Sequence, residues 1–423
     1  MKISFSMRKL LFILAGLLFM FKTVFAGEYI KIGLNYPETG PYSVQGLAQL
    51  RAAEMGVKDI NASGGILGKK IQLVKRDSKS DAKLAKKNVE DLIDNEGCEM
   101  IFGGSASSVA IAGGNAARSR GKIYFGTLTY SNATTGVDGH KYMFRESYSA
   151  WMGAKVLSKY LKKTFNGKKY FYITADYTWG RTTEDSIRIF SDTEDTEIHK
   201  RALTPFPGAK SRDFKRALTI AKASKADVLV LVLFGKDMAK GLKQATAMGL
   251  KKKMSVVVPN LTLGMAVSGG PKVMEGVVGA LPWYWKIPYV YDYEKGKRFV
   301  EKFSEKYGTY PSTSAASAYT ILYEYKNAVE RAKTFESKGV IGALEGHKYL
   351  SLKDEQAWRE FDHQSIQTVY AVKCKSQKEV LKDKYNQDYF EIIDKITGEE
   401  AACTRDEWIS ARKSAGKPLE LEW

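Results

Sequence analysis

Apolar positions along the chain recur with two periods, and the periods alternate. YIKIGL (29–34) is a short run of strand character, and Val44, Leu47, Leu50, Ala53, Val57 and Ile60 then follow at helical spacing. IQLVKR (71–76) precedes a helical pattern over 82–95, CEMIF (98–102) precedes another over 106–119, and IYFGT (123–127) closes a first group. A second group opens with a helical 151–163 and continues through YFYIT (170–174), a helix near 181–190 and a strand near 198–203. A helical 212–223, the strand DVLVLVL (227–233), a helical 237–248 and SVVV (255–258) complete it. Apolar, β-branched strands each followed by a helix predict parallel sheets covered on both faces, and two groups predict two doubly wound α/β lobes. Beyond Pro282, helical patterns at 293–307 and 313–334 and a hairpin-like 347–373 are too short for a third domain and complete the first two. The tail from 375 is charged and weakly patterned.

The first residues follow neither period. Lys2, Arg8 and Lys9 precede an apolar run from Leu10 to Phe21, and Val24 and Ala26 stand at the −3 and −1 positions before Gly27. This is the pattern of a secretory leader cleaved after Ala26, and Lys22 ends the run short of the ~20 residues a membrane helix needs. No cysteine follows the cut to carry a lipid. The mature chain is expected in the periplasm.

Charge changes this picture little. The 423 residues carry 66 Lys and Arg against 47 Asp and Glu, and losing Lys2, Arg8, Lys9 and Lys22 with the leader takes the formal charge from +19 to about +15. The lysines are dispersed, with KKK at 251–253 the longest run, and no nucleic-acid motif accompanies them, so a nucleic-acid partner is not expected. Cys98 heads a strand, while Cys374 and Cys403 lie in the tail and are expected to pair in an oxidising compartment. His140, His199, His347 and His363 are scattered without metal-binding spacing, so neither a metal nor another cofactor is expected.

The candidate chemistry begins at IFGGSASSVAIAGGNAARSR (101–120), where a strand runs into two glycines, three serines and a helical stretch. Such a corner offers free backbone N–H groups and the hydroxyls of Ser105, Ser107 and Ser108, with glycine allowing close backbone approach to a ligand. A phosphate loop is excluded because no Lys follows the glycines, and a dinucleotide fingerprint because the third glycine is missing. A nucleophile elbow would need glycine where Ser107 stands. Aromatic residues follow other strands: Tyr177 and Trp179 in YITADYTWG, Phe234 in LVLFG, and Trp283, Tyr284 and Trp285 in ALPWYW. Several aromatics at strand ends suggest a ligand with a flat or apolar body, although each alone reads more readily as core.

With these stretches together the chain resembles the periplasmic solute-binding proteins of ABC importers, of the branched-chain amino acid (Leu/Ile/Val-binding) type. The resemblance rests on IKIGLNYPETGPYSVQG (30–46), INASGGILGKKIQLVKRDSKSD (60–81), IFGGSASS, SNATTG with YMFR (131–145), ITADYTWG and YGTYPSTSAASAYT (307–320). It spans roughly residues 28 to 373 and implies the type I periplasmic binding protein fold, two lobes joined by a three-segment hinge and closing on a ligand. The expected division is a leader over 1–26, a first lobe over 27–147 and 285–345, a second over 148–284 and 346–373, and an extension over 374–423.

The resemblance also implies a site. Ser107 falls where the family holds a ligand carboxylate, with Ser105 supplying backbone contacts and Thr127, Thr129 and Tyr130 on the neighbouring loop. Gln45 lies beside the pocket, and Trp179 and Phe234 match positions that cover the ligand from the second lobe. Counting back from MEGVVG, the acid that answers an α-ammonium falls near Asn260, which is neutral. Glu146, Asp176 or Asp237 could substitute, or the ligand is a plain carboxylate or an amide. The leading expectation is a monomeric capture subunit that hands a small organic solute to an inner-membrane ABC permease. The alternatives are a periplasmic sensor of the same fold and, last, an exported serine hydrolase.

Overall fold

The computed structural model describes residues 29–423, so the leader expected over 1–26 lies outside the described residues. The strands are β1 (Tyr29–Tyr36), β2 (Lys70–Asp77), β3 (Cys98–Gly103), β4 (Ile123–Gly126) and β5 (Met143–Arg145), and they form one parallel sheet in the order β2-β1-β3-β4-β5. Between them run helices α1 (Ser43–Ala62), α2 (Ala82–Asp94) and α3 (Ser107–Arg118). Local sequence sets these boundaries: the Asp81 carboxylate accepts from Leu84 N at 2.8 Å and so starts α2 at its first free N–H groups.

The second sheet takes β6 (Tyr170–Ala175), β7 (Arg201–Thr204), β8 (Val228–Val232), β9 (Ser255–Val258) and β10 (Val278–Leu281), with α4 (Ala150–Phe165), α5 (Thr178–Ser191), α6 (Ser211–Ser224), α7 (Gly235–Ala247) and α8 (Leu263–Gly269). Its central strand VLVLV is buried at every position because helices cover both faces. Helices α9 (Glu294–Tyr307), α10 (Thr313–Ala332) and α11 (Ser337–Leu344) return to the first lobe, where Lys302 meets Asp59 and the Tyr307 hydroxyl donates to Arg51 O at 2.9 Å. The chain is therefore the two-lobed, doubly wound α/β protein that the alternating periods predict.

The late segment departs from expectation in one respect. Strands β11 (Lys348–Tyr349), β12 (Gln356–Trp358) and β13 (Ser365–Ile366) form a small antiparallel sheet whose Trp358 packs on Phe125 and Phe144 of the first lobe, not in the second. Only β14 (Val369–Cys374) of the 346–373 stretch enters the second sheet, antiparallel to β10. The tail then supplies β15 (Phe390–Ile396) antiparallel to β14, and helix α12 (Arg405–Ser414) leaves the second sheet for the first lobe. There Trp408 Nε1 donates to Thr135 O at 2.9 Å and Arg118 Nη2 to Trp423 O at 2.7 Å. This traverse overturns the expected Cys374–Cys403 pairing: both thiols are free, because Cys374 is buried at the end of β14 while Cys403 has been carried beside Arg359.

Candidate functional site

The carboxyl ends of the parallel strands of both lobes face one another, and each candidate residue stands on a loop or helix start leaving such an end. Four contacts close the rim between the lobes. Tyr42 OH meets Tyr177 OH at 2.9 Å, Lys236 N donates to Pro41 O at 3.1 Å, Ser131 Oγ meets Thr182 Oγ1 at 3.0 Å, and Asn132 Nδ2 donates to Ser186 Oγ at 2.9 Å. Gly235 explains how closely the lobes approach: with φ +59°, a Cβ there would lie 2.5 Å from the Tyr42 ring.

An aromatic cluster lies behind this rim. Tyr42 meets Phe234 edge-on at 5.0 Å and lies over Phe206 at 5.2 Å, and Phe206 stacks on Tyr177 at 4.0 Å. Phe234 also meets Tyr130 at 5.8 Å and Trp179 at 5.9 Å. Of the strand-end aromatics, Tyr177, Trp179 and Phe234 come together, joined by Tyr130, whereas Trp283, Tyr284 and Trp285 pack elsewhere, on Phe299, Phe390 and Tyr310. Tyr42 and Phe206 complete the cluster and were missed, although Tyr42 lies within GPYSVQG and Phe206 follows a strand as the others do.

The polar candidates divide into two sets. Ser107 Oγ accepts from Ser131 N at 2.9 Å, Thr129 Oγ1 meets Thr134 Oγ1 at 2.7 Å, and Thr127 Oγ1 donates to Gly103 O at 3.1 Å, so these three bind the first lobe to itself. In contrast, Ser105 Oγ, Tyr130 OH, Trp179 Nε1, Gln45 Oε1 and both amide atoms of Asn260 are buried with no partner in the protein. Gln45 reaches across the lobes with its other end, Nε2 to Thr262 Oγ1 at 3.4 Å. Buried polar groups are almost always bonded, and each left unpaired costs about 1–3 kcal/mol, so unpartnered atoms on facing loops mark a place where a further molecule belongs. The glycines before Ser105 do not leave room for a ligand as expected: a Cβ on Gly103 would lie 2.2 Å from Asn35 O, and one on Gly104 2.7 Å from Tyr124 OH. Their freedom is spent on packing strand against helix.

Of the three acids that could replace the missing carboxylate at Asn260, Asp176 is ion-paired with Arg181 at 2.5 Å. Glu146 lies in the hinge, where burial raises its pKa. Asp237, only 6 % exposed in the first turn of α7, lies beside the Tyr42–Tyr177 pair, and burial pushes its carboxyl up to about 6. Neither Ser105 nor Ser107 has a histidine partner: His363 is bonded to Glu345 and Met143 O, and His199 to Tyr170 N. Among the described residues no group of His, Cys, Asp or Glu could hold a metal, and no helix is long and apolar enough to cross a membrane.

Two α/β lobes with an aromatic cleft and unpartnered polar groups between them define a solute-binding protein. The chain belongs to the periplasmic binding protein family, which its residues 29–379 match. It is 25% identical over 353 residues to the Leu/Ile/Val-binding protein homolog 4 of Brucella melitensis, covering 80% of this chain and 82% of that protein. Among solved structures, a periplasmic binding protein from Burkholderia mallei superposes with a TM-score of 0.81 at 24% identity, covering 90% of this chain and 98% of the other. A solute-binding protein of an ABC transporter from Rhodopseudomonas palustris, in complex with 3,4-dihydroxybenzoic acid, does so with 0.75 at 19% identity, over 88% and 98%. These relatives are binding proteins, not enzymes.

Proposed function

We propose that the chain is the periplasmic capture subunit of an ABC importer, cleaved after Ala26, which closes on an amino acid or a related small carboxylate or amide and delivers it to an inner-membrane permease. The observation that carries this reading is the set of buried, unpartnered polar atoms on loops of both lobes: Gln45, Ser105 and Tyr130 from the first, Trp179 and Asn260 from the second. A ligand that satisfies both halves is bound fully only when the lobes meet, so binding drives closure. The Ser105 hydroxyl and the N-terminus of α3 suit a carboxylate, which the helix dipole favours. Tyr42, Trp179 and Phe234 suit an apolar or aromatic body. That body is consistent with the Leu/Ile/Val-binding name of the Brucella relative and with the dihydroxybenzoate of the Rhodopseudomonas neighbour.

Asp237 is the group we assign to a ligand ammonium, in place of Asn260. The test is thermal unfolding of the mature protein against branched-chain and aromatic amino acids, aromatic and aliphatic carboxylates, and small amides. A true ligand at 100 times its dissociation constant stabilises by about 2.7 kcal/mol. Asp237→Asn is expected to abolish the shifts from amino acids and to spare those from plain carboxylates. If no member of the panel shifts the wild-type protein, the reading fails.

A further inference from the structure

The tail beyond the family match does more than brace the lobes. With the first lobe, the start of α4 and the small sheet, it borders a half-open cavity of about 560 Å³, within the range of small-molecule sites. One wall is Ala402, Cys403, Trp408 and Ala411 of the tail, and the opposite wall includes Arg145, Trp151 and Met152. None of the candidate residues of the aromatic cleft lines it, and of the residues in the four rim contacts only Asn132 does.

Arg145 sets the chemistry. The residue is only 2 % exposed, yet its guanidinium bonds only neutral acceptors: Gln364 Oε1 at 2.5 Å, Ser131 O, and Thr135 Oγ1 at 2.9 Å. That leaves one N–H on each terminal nitrogen. The nearest acid, Asp362, is held in the fork of Arg359 at 2.9 and 2.6 Å, and among the described residues no carboxylate is within ion-pair distance of Arg145. A buried cation without an anion is costly, and burial lowers the Arg145 pKa to about 10. Trp151, which also lines the cavity, has an indole N–H that is buried without an acceptor. The remaining lining is apolar where Met152, Trp408 and Ala411 contribute. Asp406 and Glu407 stand at the exposed rim, screened by water, and Glu407 is occupied in accepting from Thr404 N at 2.7 Å.

We infer that this cavity is a second binding site, for a small carboxylate with an apolar or aromatic body. The carboxylate takes the free N–H groups of Arg145 as a bidentate pair, and the body lies between Met152, Trp151 and Trp408. Because its walls come from both lobes and the tail, an occupant there touches all three.

Cys403 provides a local reporter: it lines the cavity and is half-buried, whereas Cys98 and Cys374 are buried. With 4-bromobenzoate as probe at ten times its dissociation constant, maleimide labelling of Cys403 should slow about tenfold by occupancy alone. The same protection is expected in Trp179→Ala, whose aromatic cleft is impaired, and not in Arg145→Gln. A co-crystal of the wild-type chain with 4-bromobenzoate decides the matter even if Arg145→Gln does not fold. Anomalous bromine signal in the cavity supports the site. Bromine only in the aromatic cleft, or unprotected Cys403 in the wild-type chain, overturns it without touching the reading of the cleft.

Discussion

The two lobes meet at a hinge and at a cleft, and the two interfaces satisfy their polar groups differently. At the hinge, Lys353 Nζ donates to Pro282 O at 2.8 Å and Thr368 O at 2.6 Å, Gln364 Nε2 to Ser147 O at 2.9 Å, and Tyr148 OH to Ala280 O at 3.0 Å. These bonds tie all three crossing segments together. The hinge has unpartnered atoms of its own, Trp283 Nε1, Ser317 Oγ and Gln356 Nε2, but they surround a cavity of about 10 Å³, about the size for one water. At the cleft, four polar contacts and an aromatic cluster hold the rim, and the unpartnered atoms are divided between opposing lobes. The hinge is thus completed by the protein and space for a single water, whereas the cleft leaves unpartnered atoms on both lobes for a larger occupant.

The strongest way to break this contrast is at Lys353, which is buried with its pKa lowered by burial to about 8. Lys353→Met removes both donations and leaves the carbonyls of Pro282 and Thr368 unpaired, a loss of about 3 kcal/mol in stability. Urea unfolding checks it, with ligand affinity little changed in the protein that remains folded. A small stability loss combined with a large affinity loss would mean that the hinge is not the permanent interface.

The cleft should respond in the opposite way. Gly264, in α8 of the second lobe, faces the first lobe so closely that a Cβ would lie 2.8 Å from Val44 Cγ1 and 3.6 Å from Gln45 Nε2. Gly264→Leu therefore wedges the lobes apart without touching the interior of either. Affinity should fall by about 2 kcal/mol, the typical cost of overpacking, while the unfolding midpoint of the ligand-free protein stays within error. Calorimetric titration and urea unfolding on the same variant separate the two. Retained affinity would mean that one lobe suffices for binding.

How much of this was legible in the sequence depends on what each element packs against. Strands such as VLVLV are buried on both faces, so their apolar runs announce them and the parallel order follows. β15 is an edge strand with only partial burial, so its half-polar FEIIDKI carries no such signal. The tail's helix starts were nonetheless readable, since Ser376, Thr397 and Thr404 are each followed three residues later by a glutamate that closes a capping box. In the cleft, position along the chain indicated loops that the fold brings to facing strand ends but not which hydroxyls would be consumed. Ser105 and Ser107 look equivalent in GGSASS, and only the approach of the Ser131 loop distinguishes them.

That distinction yields the finest test of the contrast, since two serines two residues apart should behave oppositely. Ser107 Oγ accepts from Ser131 N at 2.9 Å, so Ser107→Ala leaves a buried N–H unpaired and should lower stability by about 1 kcal/mol before any ligand is added. Ser105 Oγ is buried and bonded to nothing in the protein, so Ser105→Ala removes an unsatisfied group and should leave ligand-free stability unchanged or slightly raised. In the presence of a carboxylate ligand the order is expected to reverse, because a hydrogen bond from Ser105 to a charged acceptor would be worth about 1.5–3 kcal/mol of affinity. Melting curves of both variants with and without ligand form a four-way comparison. If Ser107→Ala rather than Ser105→Ala loses the ligand, the carboxylate sits two residues further on, at the first residue of α3, and Ser131 N must move to free the Ser107 hydroxyl.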